Sequence, residues 1–262
     1  MSLTGKKYSA YYKDLLEIDN SNSGIDSTLR AIKSGDGTSS SVLLSNGKVK
    51  VLPSADSTAT LDVQDKDGNS KLLVDTTNDY VKALGHHVNT QYAYFGATSS
   101  DTALATANTH FAIPFTNCNG DGFGVINVGT GTNPDTSVTL NGSSVFAYQW
   151  VTKFWHVMDN MTIDRVVWWN GADASSGDTM RVHLMAYDVV SDNTSNSGNL
   201  SNGTVLADGS DIINAGWEQA YYQQLTIQSA NVDAGKIILF IYRTDSVNSD
   251  YTINSTIKFH LR

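Results

Sequence analysis

Hydrophobic and polar residues alternate most clearly near the end of the chain, where Tyr251, Ile253, Ile257, Phe259 and Leu261 interleave with Thr252, Asn254, Thr256, Lys258 and His260. A period of two describes an antiparallel strand with one buried face. Longer strands are also predicted over 144–155, 161–169, 179–190, 221–227 and 236–244, separated by loops rich in Gly, Asn and Asp. Such a series packs most simply as a β-sandwich, jelly-roll-like in character. The earlier chain reads differently. Val42, Leu43 and Leu44 face Val49 and Val51 across Asn46-Gly47, and Leu61 and Val63 face Leu72 and Val74 across Asp67-Gly68. Asn-Gly and Asp-Gly are strong hairpin signals. Isolated hairpins are marginal in water, so this ribbon calls for a partner. Residues 8–18 fit either a short amphipathic helix or an extended segment, and a helix is expected over 77–84.

Composition supports the β reading. Of 26 acidic residues, only Glu17 and Glu218 are Glu. Asp favours turns and caps where Glu favours helix surfaces. Charge divides the chain near Leu84-Gly85. Residues 1–85 carry 10 Lys/Arg and 11 acids, and residues 86–262 carry 7 and 15, which together give the net −9. All five Trp lie in the second part. The expected organisation is a docking and oligomerisation region over 1–84 and a sandwich over 85–262. The acidic balance disfavours nucleic acid. No apolar run is long enough to span a membrane. The first residues lack the apolar core of a signal peptide, so classical secretion is not expected. One cysteine, Cys118, excludes a disulfide framework and points to a bland loop or core position.

Chemical motifs mostly fail. In an EF-hand loop with Gly68 at the sixth position, Val63 and Val74 would occupy ligand positions, so a hairpin turn is favoured. Gly129-Thr130-Gly131 lacks the third glycine of a dinucleotide fingerprint, and neither a P-loop nor a Gly-x-Ser-x-Gly elbow occurs. His86 and His87 are adjacent and face opposite ways on a strand, while His183 and His260 read as outward or interfacial. Glu218 beside Trp217 lacks a defined second carboxylate for glycoside hydrolysis. No catalytic, cofactor or metal residue is nominated. What stands out is aromatic doubling at Phe154-Trp155, Trp168-Trp169 and Tyr221-Tyr222. Successive strand residues point to opposite faces, so one ring of each pair should face outward. Trp155, Trp168, Trp169, Trp217, Tyr221 and Tyr222 are therefore candidates for a subunit contact, the favoured reading, or for stacking on a glycan.

Residues 13–26, Lys13-Asp14-Leu15-Leu16-Glu17-Ile18-Asp19-Asn20-Ser21-Asn22-Ser23-Gly24-Ile25-Asp26, resemble an N-terminal segment of tailed-bacteriophage structural proteins. Leu73-Val74-Asp75-Thr76-Thr77-Asn78 is similar to the LxVDTTN turn of phage fibre proteins and other virion proteins. The resemblance covers mainly residues 8–84. It implies a virion appendage without cofactor or catalytic residues, usually a homotrimer, assembled in the host cytoplasm. Tyr11, Tyr12, Leu15, Leu16 and Ile18 would belong to the segment that docks on other virion proteins. The exposed sandwich would be free to meet a host-surface glycan. Fibre, spike, head fibre, capsid decoration and tail adaptor all remain open as its station, as does a carbohydrate-binding module.

Overall fold

The computed structural model describes residues 13–21, 23–98, 106–115, 126–140, 145, 147–173, 176–192, 194–245 and 250–262. Tyr11, Tyr12 and Cys118 lie outside them. Almost all regular structure is antiparallel β, in two compact units, Met1–Val88 and Asn89–Arg262. No helix among the described residues is long and apolar enough to cross a membrane.

The first unit holds two four-stranded meanders. One orders β1 (Leu16–Ile18), β2 (Arg30–Ser34), β3 (Ser39–Leu44) and β4 (Val49–Val51). The other orders β5 (Leu61–Gln64), β6 (Ser70–Asp75), β7 (Tyr80–Ala83) and β8 (His86–His87). Their turns are set by short polar side chains. Asp65 accepts the N–H groups of Asp67 and Asn69, both at 2.9 Å, and Gly68 takes φ +83°, the left-handed region glycine enters without strain. Its hydrogen bond with Lys71, seconded by the Asn69 N–H, holds the Asp65 carboxyl down at about 2. Between β6 and β7, Asp75 accepts the N–H groups of Thr77 and Asn78 at 2.9 Å and the Asn78 side-chain amide at 2.8 Å. That turn reverses the chain where a helix over 77–84 was expected, and Tyr80–Ala83 pairs back onto β6 as a strand.

Register gives each meander one apolar face. In the second, Leu61, Val74 and Val81 form one cross-strand row and Val63, Leu72 and Ala83 the next. In the first, Ile18 faces Ile32, Leu44 faces Val49 and Val42 faces Val51. Neither face is covered to core density. No buried apolar residue among those described precedes Ala93, and Asp75 is the one buried residue among the described residues of the unit. Leu16 and Val49 are 70% and 71% exposed.

The second unit is a sandwich. A five-stranded sheet runs β16 (Gln219–Gln224), β12 (Met161–Asp173), β20 (Asp250–Leu261), β9 (Thr90–Thr98), with β18 (Asn231–Val232) also on β12. A seven-stranded sheet runs β10 (Thr109–Ile113), β19 (Ile237–Thr244), β13 (Thr179–Val189), β14 (Leu200–Asp208), β17 (Thr226–Ile227). In that sheet β11 (Trp155–His156) adds to β19 and β15 (Ile212–Ile213) to β13. Between the sheets lies a core that includes Phe95, Trp155, Trp168, Phe240, Tyr242, Tyr251 and Phe259. The other face of the larger sheet is buried too. Met185, Tyr187, Leu239 and Ile241 pack there under Ile126, Val128, Val138, Val145 and Trp150. This explains why β19 reads as a continuous apolar run (Ile-Ile-Leu-Phe-Ile-Tyr) and not as an alternation: both its faces are dry.

The roof over that second core corrects two expectations. The strand expected over 144–155 is instead a helical turn, α1 (Ala147–Trp150), and a tighter turn over Val151–Lys153, with only Trp155–His156 in a strand. Trp150 and Phe154, four residues apart, meet edge to face at 5.1 Å, a helical spacing. His183, expected to face outward or lie at an interface, is fully buried because the face it occupies is roofed.

Candidate functional site: the outer face of the five-stranded sheet

Alternation along β12, β20, β16 and β9 sends every second side chain to solvent, and register sorts these into rows. Trp169 lies between Tyr222 and Asn254. Val167 lies between Gln224 and Thr256, with Tyr94 beyond Thr256. Arg165 is followed by Lys258 and then Tyr92. Four strands at about 4.8 Å spacing make this a platform roughly 14 Å across. Trp169, Tyr222, Tyr92 and Tyr94 are all about half exposed, at 53%, 47%, 55% and 51%. The Trp169 and Tyr222 rings meet at 5.1 Å with a 52° tilt. Arg165 donates from Nη2 to the Tyr222 hydroxyl at 3.0 Å, which fixes that ring. Tyr92, Arg165, Val167, Tyr222, Thr256 and Lys258 line a shallow groove of about 380 Å³.

A bulge shapes one end. Register slips between Ile163 and Arg165, so Asp164 is the extra residue, and its carboxylate meets His260 Nδ1 at 3.0 Å. Bulges re-aim side chains in this way. The cations of the groove are left without such a partner. Among the described residues Arg181, Lys236 and Arg262 have carboxylates within ion-pair distance, while Arg165 and Lys258 have none. The groove lining holds no carboxylate.

The doubled aromatics separate as the strand geometry requires where the sheet is open on one side. Trp168 is fully buried, its Nε1 donating to Gln223 Oε1 at 3.2 Å, and Trp169 is outside. Tyr221 packs against the core with its hydroxyl donating to Asn214 Oδ1 at 2.9 Å, and Tyr222 is outside. Phe154 and Trp155 differ: Trp155 enters the inter-sheet core and Phe154 the second core, because the larger sheet is covered on both faces. Trp217 and Glu218 stand exposed in the turn before β16. Of the six candidate rings, the platform gathers Trp169 and Tyr222. Tyr92, Tyr94, Arg165 and Lys258 join them and stand outside the sequence-predicted set; in the sequence, the alternation Tyr92-Ala93-Tyr94-Phe95 is their one signal.

A second polar cluster sits on the roofed face of the larger sheet. His110 and His183 are fully buried with ring centroids 5.2 Å apart. His110 Nε2 lies 3.0 Å from the Gly131 carbonyl, whereas neither His183 nitrogen has a hydrogen-bond partner among the described residues. Arg243 is paired in register with both His110 and Arg181. Burial, then the nearby His110 and Arg181, push the His183 pKa from 6.5 to about 4.

A scan against protein-family models gave no match, and a search of curated proteins gave none either.

Proposed function

We propose that this chain is a non-enzymatic structural protein of a tailed-phage virion, a homotrimeric fibre or spike that docks through its first unit and displays its sandwich. The observation that carries the reading is the state of the first unit. Its two meanders each present an aliphatic face, its described residues include no buried apolar side chain, and Leu15, Leu16, Ile25, Val49, Leu52, Leu61, Val63 and Leu72 all stand exposed. A single-layer sheet cannot supply its own core, and large exposed apolar surface on a soluble chain marks association. Sister copies and other virion proteins are the partners that cover it. The LxVDTTN-like turn and the resemblance of residues 13–26 to phage structural proteins supply the particle. Antibody raised against the recombinant chain tests this reading. Labelling of purified phage particles at a fixed station and constant copy number is expected; unlabelled particles from the producing infection would contradict it.

A second reading applies to the sandwich itself, as a carbohydrate-binding module. It is favoured by the platform, where exposed rings are interleaved with Asn254, Thr256 and Gln224, hydrogen-bonding side chains on a rigid sheet. Sugar rings present C–H faces that pack on aromatic faces and hydroxyls that such side chains bind.

A further inference from the structure

We infer that the platform selects acidic saccharides, with Arg165 and Lys258 receiving a carboxylate while Trp169, Tyr222 and Tyr92 carry the sugar rings; this rests on the carbohydrate-binding reading of the same face. Charge is the deciding observation. Residues 86–262 contain 7 Lys/Arg against 15 acids, and the cations elsewhere on the sandwich surface are mostly committed: Arg181 to Asp208, Lys236 to Asp188, Arg262 to Asp233. Arg165 and Lys258 are the exception. They face each other across β12 and β20, line one groove, and have no carboxylate partner among the described residues. Placing two such cations side by side is unfavourable unless an anion or solvent compensates them. Asp164, the bulge residue preceding Arg165, is held by His260.

The placement of Arg165 fits a ligand role. Its Nη2 donates to the Tyr222 hydroxyl, which holds the guanidinium at the groove lining and leaves its other donors for a planar carboxylate. Lys258, half-buried between Tyr92 and Arg165 in register, adds a point charge. A second copy of the chain is the competing occupant. A two-fold contact through this face, or a three-fold one with the groove on the axis, would set Arg165 and Lys258 against their own counterparts, repelling at the centre of the interface. A polyanion such as nucleic acid fits less well, because residues 86–262 carry 15 acids against 7 Lys/Arg.

A glycan array carrying sialylated, uronate-containing and neutral saccharides, probed with the full-length protein, tests the inference. Enrichment of binding on the carboxylated glycans is expected. Binding confined to neutral glycans would overturn the acidic selectivity and leave the carbohydrate reading standing. Binding to none would overturn both. For the strongest acidic ligand, methyl esterification of its carboxylates should weaken binding by about tenfold or more, the scale of one charge-assisted hydrogen bond. In the double variant Arg165→Gln, Lys258→Gln that difference should vanish. Trp169→Ala should weaken acid and ester alike. A double variant that keeps the preference, with an unchanged thermal melt, would place carboxylate recognition elsewhere and overturn the inference. A change in oligomer mass in Trp169→Ala would make the face a subunit contact and do the same.

Discussion

At the scale of single residues, neighbours in sequence have opposite fates. Trp168 is sealed in the core beside Tyr242, with ring centroids 6.0 Å apart, while Trp169 stands in solvent. Trp168→Ala should destabilise the sandwich by about 3–5 kcal/mol, as expected for removing a buried Trp. Trp169→Ala should stay within about 0.5 kcal/mol of the parent. Urea denaturation followed by far-UV circular dichroism separates the two; equal effects would contradict the placement of the rings. His183 gives a pH signature. Its pKa falls from 6.5 to about 4 on folding, mainly through burial. The unfolded chain therefore binds the extra proton between these values, and stability must rise with pH across that window. The contribution is complete above about pH 6.5 and is lost as pH falls toward 4. Its full size is about 3 kcal/mol. The facing groups, His110, Arg181, Arg243 and Asp208, add to or offset it. In His183→Leu, the denaturation midpoint measured from pH 7 to pH 4 should fall distinctly less than in the parent.

At the scale of elements, legibility tracked how many faces of a strand are wet. β20 could be read directly because one face meets solvent and the other the core, and the same alternation placed Trp168 and Trp169 on opposite sides. The hairpins over Asn46-Gly47 and Asp67-Gly68 were legible because their turn chemistry is local. The roof over the larger sheet was not. Its apolar contacts, among them Ile126, Val128 and Val138, come from a stretch whose Gly, Asn and Thr content reads as loop. Without it the dry second face of β13, the burial of His183 and the helical turn at Trp150 have no visible cause. The platform was half legible: doubling exposed Trp169 and Tyr222, but Arg165 and Lys258 join them only through cross-strand register. The meanders carry a prediction of their own. Leu72 sits in the row Val63–Leu72–Ala83 on the aliphatic face of β5 to β7. If sister copies cover that face, Leu72→Asp buries an unpaired charge and should dissociate the oligomer while the sandwich melts as before. Sizing with light scattering reads the first effect and calorimetry the second. An unchanged oligomer would mean that this face is open.

At the scale of the whole molecule, the two units have different sources of stability. Residues 89–262 contain both apolar cores, the first between the two sheets and the second closed by the roof over the larger sheet. Expressed alone, they should be monomeric and unfold in a single cooperative transition, which calorimetry and sizing can establish together. The described residues of the first unit form no such core, and on the proposed reading that unit is stabilised by being covered. Assembly through the first unit would also array several sandwiches side by side, so platforms of modest individual affinity would act with gained avidity on a surface bearing many copies of one glycan. Sedimentation equilibrium of the full-length chain, over a wide concentration range, tests this division most directly. A stable species of three times the 28.3 kDa chain mass is expected. A folded monomer of 28.3 kDa that persists at high concentration would contradict it.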